Sequence, residues 1–152
     1  MSGKWHGGAR SKANLPSSRG FDSHLGFLKG GEDHWTQKSS GAVDLWGDFD
    51  PAYGLNGTFS TYLYAGRAVS VIEAHPADTP LFLYLPWHVT HTPLEVPPQY
   101  LYPSLPAYNN SDSRRMTFNA MVRIMDEGIA NVTAALRAKG MWDNTVLVWA
   151  SE

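Results

Sequence analysis

Between residues 61 and 75 apolar side chains recur at helical intervals. Leu63, Tyr64, Ala68, Val71 and Ile72 share one face. Pro76 cannot continue such a helix, so the predicted span is Thr61 to His75. Pro80 to Trp87, PLFLYLPW, is apolar throughout and of strand length, which predicts a strand covered on both faces, as in a parallel sheet. A second helical face runs through Phe118, Met121, Val122, Met125, Ile129, Val132 and Leu136, with Ser111 or Asp112 as its cap and Gly140 as its stop. Thr145 to Ala150 is again strand-like. Residues 7–58 show little period and are rich in Gly, Ser, Asp and Trp, which predicts a long loop region. Its aromatics (Phe21, Phe27, Trp35, Trp46, Phe49, Tyr53) argue that this region is ordered and functional. The order loop, helix, strand, loop, helix, strand predicts an α/β protein with a mainly parallel sheet.

Composition narrows the function classes. With 152 residues, 43% of them hydrophobic and 17% charged, the chain can bury one core and is not globally disordered. A net charge of -2 argues against nucleic-acid binding through a basic patch. With no cysteine, disulfides and thiolate metal sites are excluded. No apolar stretch approaches the roughly 20 residues of a membrane span, and no signal peptide is present in the chain. Six Trp, seven Tyr and six Phe predict aromatic packing or an aromatic-lined site. Both ends read as functional strand tips. Residues 1–152 are therefore expected to be one partial domain, an internal piece of a larger protein truncated at both ends.

In a parallel sheet, ligands bind beyond the carboxyl ends of the strands, and three places point there. Lys4 and His6, in GKWHGG, project from the same face if the chain is extended. A cation beside a titratable ring suits sulfate or phosphate, although an exposed turn with incidental polar residues reads the same way. His88 and His91 follow the apolar strand in a proline-stiffened loop. They suit catalysis or anion binding, and their i, i+3 spacing also suits two metal ligands or a surface role. Glu152 ends the last strand, where a carboxylate either binds a hard cation or caps the turn. Asp126 and Glu127 read as structural residues at a helix edge. Asp22, Glu32 and Asp33 either bind substrate or are solvated. Sequons at Asn56, Asn109 and Asn131 favour a secretory protein.

Four collinear segments carry a resemblance: GKWH, LPSSRGFDSHLGFLKGGEDHWT, PLFLYLPWHVTHTPLEVPPQY and MVRIMDEGIANVTAALRAKGMWDNTVLVWASE. Together they resemble the type I sulfatases, most closely the arylsulfatase B-like branch. The resemblance implies an alkaline-phosphatase-like fold, a mixed sheet between helices. It also implies hydrolysis of sulfate esters of small molecules or glycans by a formylglycine made from Cys or Ser in a C/S-x-P-x-R motif, which requires a formylglycine-generating enzyme as partner. A divalent cation, usually Ca²⁺, is implied as cofactor, and a lysosomal or extracellular location for the full-length protein. Lys4 matches the lysine that binds sulfate. His6 matches the histidine that contacts the formylglycine hydroxyl, and His91 the histidine beside the leaving group. His88 falls at a position without a fixed family role and is a candidate substrate contact.

The departures are as specific as the matches. The nucleophile motif should precede Lys4 and is not in the chain. LPSSRG is no substitute, because Pro16 as the motif proline puts Asn14 at the nucleophile and Ser18 at the arginine. The paired metal-binding aspartates and a downstream sulfate-binding lysine are missing. Gly7 stands where leucine is usual, and Glu152 where the family has the metal-binding aspartate. Residues 1–152 alone are therefore expected to be inactive. The alternatives are a phospho- or phosphonate hydrolase of the same superfamily and a non-catalytic binder of sulfated glycans.

Overall fold

The computed structural model describes residues 1–101 and 112–150. Both expected helices form, α1 at Ser60–Ala74 and α2 at Ser113–Ala138. Before Pro76, the His75 N–H turns back to the Val71 and Ile72 carbonyls and closes α1. Asp112 is the α2 cap. Its carboxylate accepts from the Arg114 N–H at 2.9 Å and the Arg115 N–H at 3.4 Å, satisfying two donors of the first turn. Ser111, the other expected cap, lies outside the described residues.

The buried face of α2 is Ala120, Met121, Ile124, Gly128, Val132, Ala135 and Leu136. It is rotated from the expected one: Val122, Met125 and Ile129 are half-buried at its edge, and Phe118 is exposed. The pattern was read from large apolar residues, but close helix packing favours the small ones. Ala68 and Ile72 of α1 meet Val132, Ala135 and Leu136 of α2 in one core cluster, which Leu81, Leu83 and Leu85 cover from the sheet side. A second cluster joins Phe59, Val89 and Val96 to Ala120, Met121 and Ile124.

Three extended segments run side by side in parallel register. Ser2 and Lys4 donate backbone N–H bonds to the Tyr84 and Pro86 carbonyls, both at 3.0 Å. On the opposite edge, Gly3 donates to Leu25 at 2.9 Å and Trp5 to Phe27 at 2.8 Å. Even and odd residues of one strand thus serve different neighbours, as a central strand requires. Beyond it, β1 (Leu25–Gly26) pairs antiparallel with β4 (Trp46–Gly47), and β4 with β5 (Asp50–Pro51). A separate hairpin joins β2 (Lys38–Ser39) to β3 (Ala42–Val43). The arrangement is mixed, parallel at residues 1–5 and antiparallel outward from β1.

Two expectations about strands are corrected. Residues 81–85 are packed closely on one face only: the three leucines meet the helices, while on the other face Phe21 stacks on Phe82 and Tyr84 and leaves them 78% and 46% exposed. Residues 145–150 pair with no strand among the described residues, and Val146 and Val148 are 90% and 80% exposed. An apolar run favours extended chain, but a strand also needs a neighbour's N–H and C=O groups.

This packing sets a contrast in stability. Ile124→Ala, at a fully buried contact, is expected to destabilise the chain by about 2–5 kcal/mol. Val148→Ala is expected to change it by less than about 0.5 kcal/mol. Urea unfolding of the two variants measures both.

Candidate active site

The three parallel segments end together, and their loops bring His6, His88 and His91 to the Gly30–Gly31 peptide. The Lys4 backbone is still in register, but His6 has left it with φ at +51°. The expectation that Lys4 and His6 share a strand face is therefore corrected; the chain turns after Trp5. His6 reaches the site by that turn, its N–H held by the Leu28 carbonyl at 3.1 Å. The Gly30–Gly31 peptide forms the floor. A Cβ at Gly30 would stand 2.9 Å from His6 Nε2, and one at Gly31 would stand 3.0 Å from His91 Cε1 and 3.6 Å from His88 Nε2. Glycine is what allows His6 and His91 to approach either end of the same peptide.

Below His91 the aromatic rings form a column. His91 stacks on His88 with centroids 5.2 Å apart, His88 lies 4.2 Å from His34, and His34 stacks on Phe59 at 5.1 Å. Phe27 meets His88 edge-on at 4.9 Å. The column runs from exposed His91 to buried Phe59.

Hydrogen bonds fix which ring nitrogens are active. His91 Nδ1–H donates to the Thr92 carbonyl at 2.8 Å, leaving Nε2 as the free nitrogen at the mouth. His34 Nε2–H donates to the His91 carbonyl at 3.3 Å. The Glu32 backbone N–H donates to His88 Nε2 at 3.4 Å, so the His88 ring proton sits on Nδ1, which is buried with no partner among the described residues. Burial first, then the charges of His34, His91 and Lys4, push His88 down to about 2. His88 is thus a neutral ring throughout the physiological range. Burial likewise lowers His34.

Glu32 ties this loop to α1. Its Oε1 accepts from Ser60 Oγ at 2.8 Å and from the Tyr64 hydroxyl, while Oε2 is buried with no partner among the described residues. The residue is 3% exposed, and burial, outweighing those two hydrogen bonds, raises its carboxyl to about 7. Both earlier readings of Glu32, as a substrate contact or a solvated carboxylate, are corrected: its carboxyl is internal. His34 escaped the sequence reading; Tyr64 is buried as the helical face predicts, but its bond to Glu32 is not legible from that face. The alternation GEDHWT was a faint signal, since Glu32 and His34 at i, i+2 share the buried side.

The remaining candidates separate from this site. Asn56 and Asn131 are exposed, and Asn109 and Glu152 lie outside the described residues. Glu127 is a surface residue accepting from the Tyr100 hydroxyl, which agrees with a structural role. Asp33 accepts from the Trp35 and Thr36 backbones and closes a turn. Asp22 is exposed. His88 and His91 are stacked rather than convergent, so they do not form the metal pair their spacing allowed. Among the described residues no three His, Cys, Asp or Glu side chains converge on a metal position. Calcium takes six to eight oxygen ligands, and the described donors here are ring nitrogens, an ammonium and an internal carboxyl. They do not fit calcium. The chemistry they carry is that of a lysine and histidines.

Comparison with known proteins identifies the family. The Sulfatase family matches residues 1–151, and the chain belongs to that family. It is 35% identical to Arylsulfatase J of Mus musculus over 160 residues, which is 100% of this chain and 26% of that protein. It is 31% identical to an arylsulfatase of Klebsiella aerogenes over 66% of this chain and 23% of that one, and 26% identical to N-acetylgalactosamine-6-sulfatase of Mus musculus over 99% and 29%. The chain thus spans about a quarter of the length of these relatives. Ps i-CgsB, solved alone and in complex with k-i-k-neocarrahexaose, superposes with a TM-score of 0.79 at 26% and 25% identity, over 94% of this chain and 34% of that one. The fold is the alkaline-phosphatase-like α/β class of the family, here incomplete.

Glu32 gives the site a pH signature. A carboxyl raised from 4.5 to about 7 stabilises least when ionised, so its contribution is full below 4.5 and is lost as pH rises to about 7. The loss amounts to roughly 3 kcal/mol at most. Glu32→Gln keeps an acceptor for Ser60 and Tyr64 and cannot ionise. Thermal unfolding is expected to show the wild type losing stability relative to this variant as pH rises from 4.5 to 7, on top of the opposite trend from the buried histidines that both share.

Proposed function

We propose that the site formed by Lys4, His6 and His91 binds the sulfate ester group of a small molecule or glycan, and that the whole protein is a sulfuric ester hydrolase of which residues 1–152 form part of the catalytic domain. The observation that carries this reading is the approach of His6 and His91 to the two ends of the Gly30–Gly31 peptide, with the Lys4 backbone in register on the strand that leads to the histidine loop. Lys4 offsets the charge on the non-bridging oxygens as the S–O bond lengthens. His91, protonated on both nitrogens, keeps Nδ1–H on the Thr92 carbonyl and delivers the Nε2 proton to the departing alkoxide or phenoxide oxygen. His6 at the other end of the floor serves the attacking oxygen. His88 stays neutral and acts as packing that positions His91, with its substrate contact limited by 3% exposure. The attacking oxygen is supplied by the formylglycine hydrate of the family, and residues 1–152 contain no Cys and no Ser-x-Pro-x-Arg motif.

The same family membership supports calcium as the cofactor of the whole protein, with Glu152 as a ligand, and a formylglycine-generating enzyme as its partner. Exposed sequons at Asn56 and Asn131 support a glycoprotein of the secretory pathway.

The 152-residue chain is expected to bind 4-nitrophenyl sulfate without turning it over. Lys4→Ala is expected to weaken that binding at least tenfold in calorimetry, since a charge-assisted contact contributes about 1.5–3 kcal/mol. Release of nitrophenol by the wild-type chain, or unchanged binding in the variant, contradicts the reading.

A further inference from the structure

The run from Thr145 to Ala150 stands apart from the packed part of the fold. Thr145 is extended, with φ at −114° and ψ at 131°, and its N–H bonds to the Trp142 carbonyl. From Val146 to Ala150 neither the N–H nor the C=O groups have a backbone partner among the described residues. Val146, Leu147, Val148 and Trp149 are 90%, 57%, 80% and 55% exposed. The alternation is that of a strand, with Val146 and Val148 outermost.

This edge lacks the protection that the other strands carry. Exposed strand edges are ordinarily blunted by lysine, proline or another charge, because a free row of N–H and C=O groups is a template for pairing. Lys38 stands in β2, and β5, outermost in its sheet, consists of Asp50 and Pro51. Between Thr145 and Ala150 there is no charge and no proline. Thr, Val and Trp are instead strong strand formers.

We infer that this run is an interface with a second copy of the chain, the two copies pairing it antiparallel across a two-fold axis. Such pairing is self-complementary, because one edge supplies the donors and acceptors of both sides. Leu147 is the centre of Thr145–Trp149. The partner's Leu147 then lies opposite Leu147, and the partner's Val148 opposite Val146, so side chains on the same face meet. The four apolar side chains leave roughly 500 Å² open, more than the few hundred Å² of contiguous apolar surface that a soluble monomer usually exposes. Covering them in both copies removes about 1,000 Å² from water, which reaches the lower bound of a specific interface. The dimer is therefore weak and reversible. Lys4, His6 and His91 take no part in it.

Sedimentation velocity of the 152-residue chain over a range of concentrations is expected to show a monomer–dimer equilibrium. Val146→Lys with Val148→Lys sets like charges opposite one another and is expected to raise the dimer dissociation constant at least tenfold. Val146→Ile with Val148→Ile is expected to keep it. Both pairs lie outside the monomer's core, so circular dichroism of dilute samples should match the wild type. Leu147→Cys gives the chain a single thiol. Facing residues of an antiparallel pair are about 4.5–5.5 Å apart at Cα, within reach of a disulfide. Mild oxidation is expected to link two copies of Leu147→Cys, and to link Tyr53→Cys far less, although Tyr53 is 78% exposed. A chain that stays monomeric, association that survives the Lys pair, growth beyond two copies, or equal linking at 147 and 53 overturns the inference.

Discussion

The site depends on a set of main-chain hydrogen bonds that involve none of its side chains. Residues 2 and 4 bond to 84 and 86, and residues 3 and 5 to 25 and 27. That register sends three segments toward one edge in step, so the loops at 6–8, 29–32 and 87–92 leave the sheet together. A slip of one residue would turn Lys4 to the opposite face and separate it from the histidines. The catalytic candidates are 87 residues apart in sequence between Lys4 and His91, and these few bonds set the strands that carry them side by side.

On that register rests a graded column of rings. At its base Phe59 and His34 belong to the core, and at its tip His91 meets solvent. The gradient explains why chemically identical imidazoles differ in behaviour. Burial holds His88 and His34 neutral, so they act as flat packing groups with defined tautomers. His91 is left with one nitrogen committed to a carbonyl and one free. Glu32 links the column to α1 through Ser60 and Tyr64, so the position of the helix is felt at the mouth of the site.

Much of this was legible in the sequence. The helices were visible because their apolar spacing is strong and both are punctuated, by Pro76 and by Asp112. Lys4, His6 and His91 were visible mainly through the family resemblance, since K-x-H and a loop histidine carry little information alone. Glu32 was misread because a carboxylate in a Gly-rich stretch looks solvated; its burial comes from Tyr64, 32 residues away, which no local pattern reveals. The rotated face of α2 and the uncovered strand at 145–150 share a cause. Periodicity reports which residues prefer burial, and the neighbours decide which obtain it.

The most direct test of the account is an amide and imidazole resonance map of the 152-residue chain titrated with 4-nitrophenyl sulfate. The account predicts the largest shifts at Gly30, Gly31 and the rings of His6 and His91, with none along the exposed apolar run at 146–149. Shifts centred on that run, with Gly30 and Gly31 unmoved, would show that the loops carrying His6 and His91 do not form a sulfate-ester site.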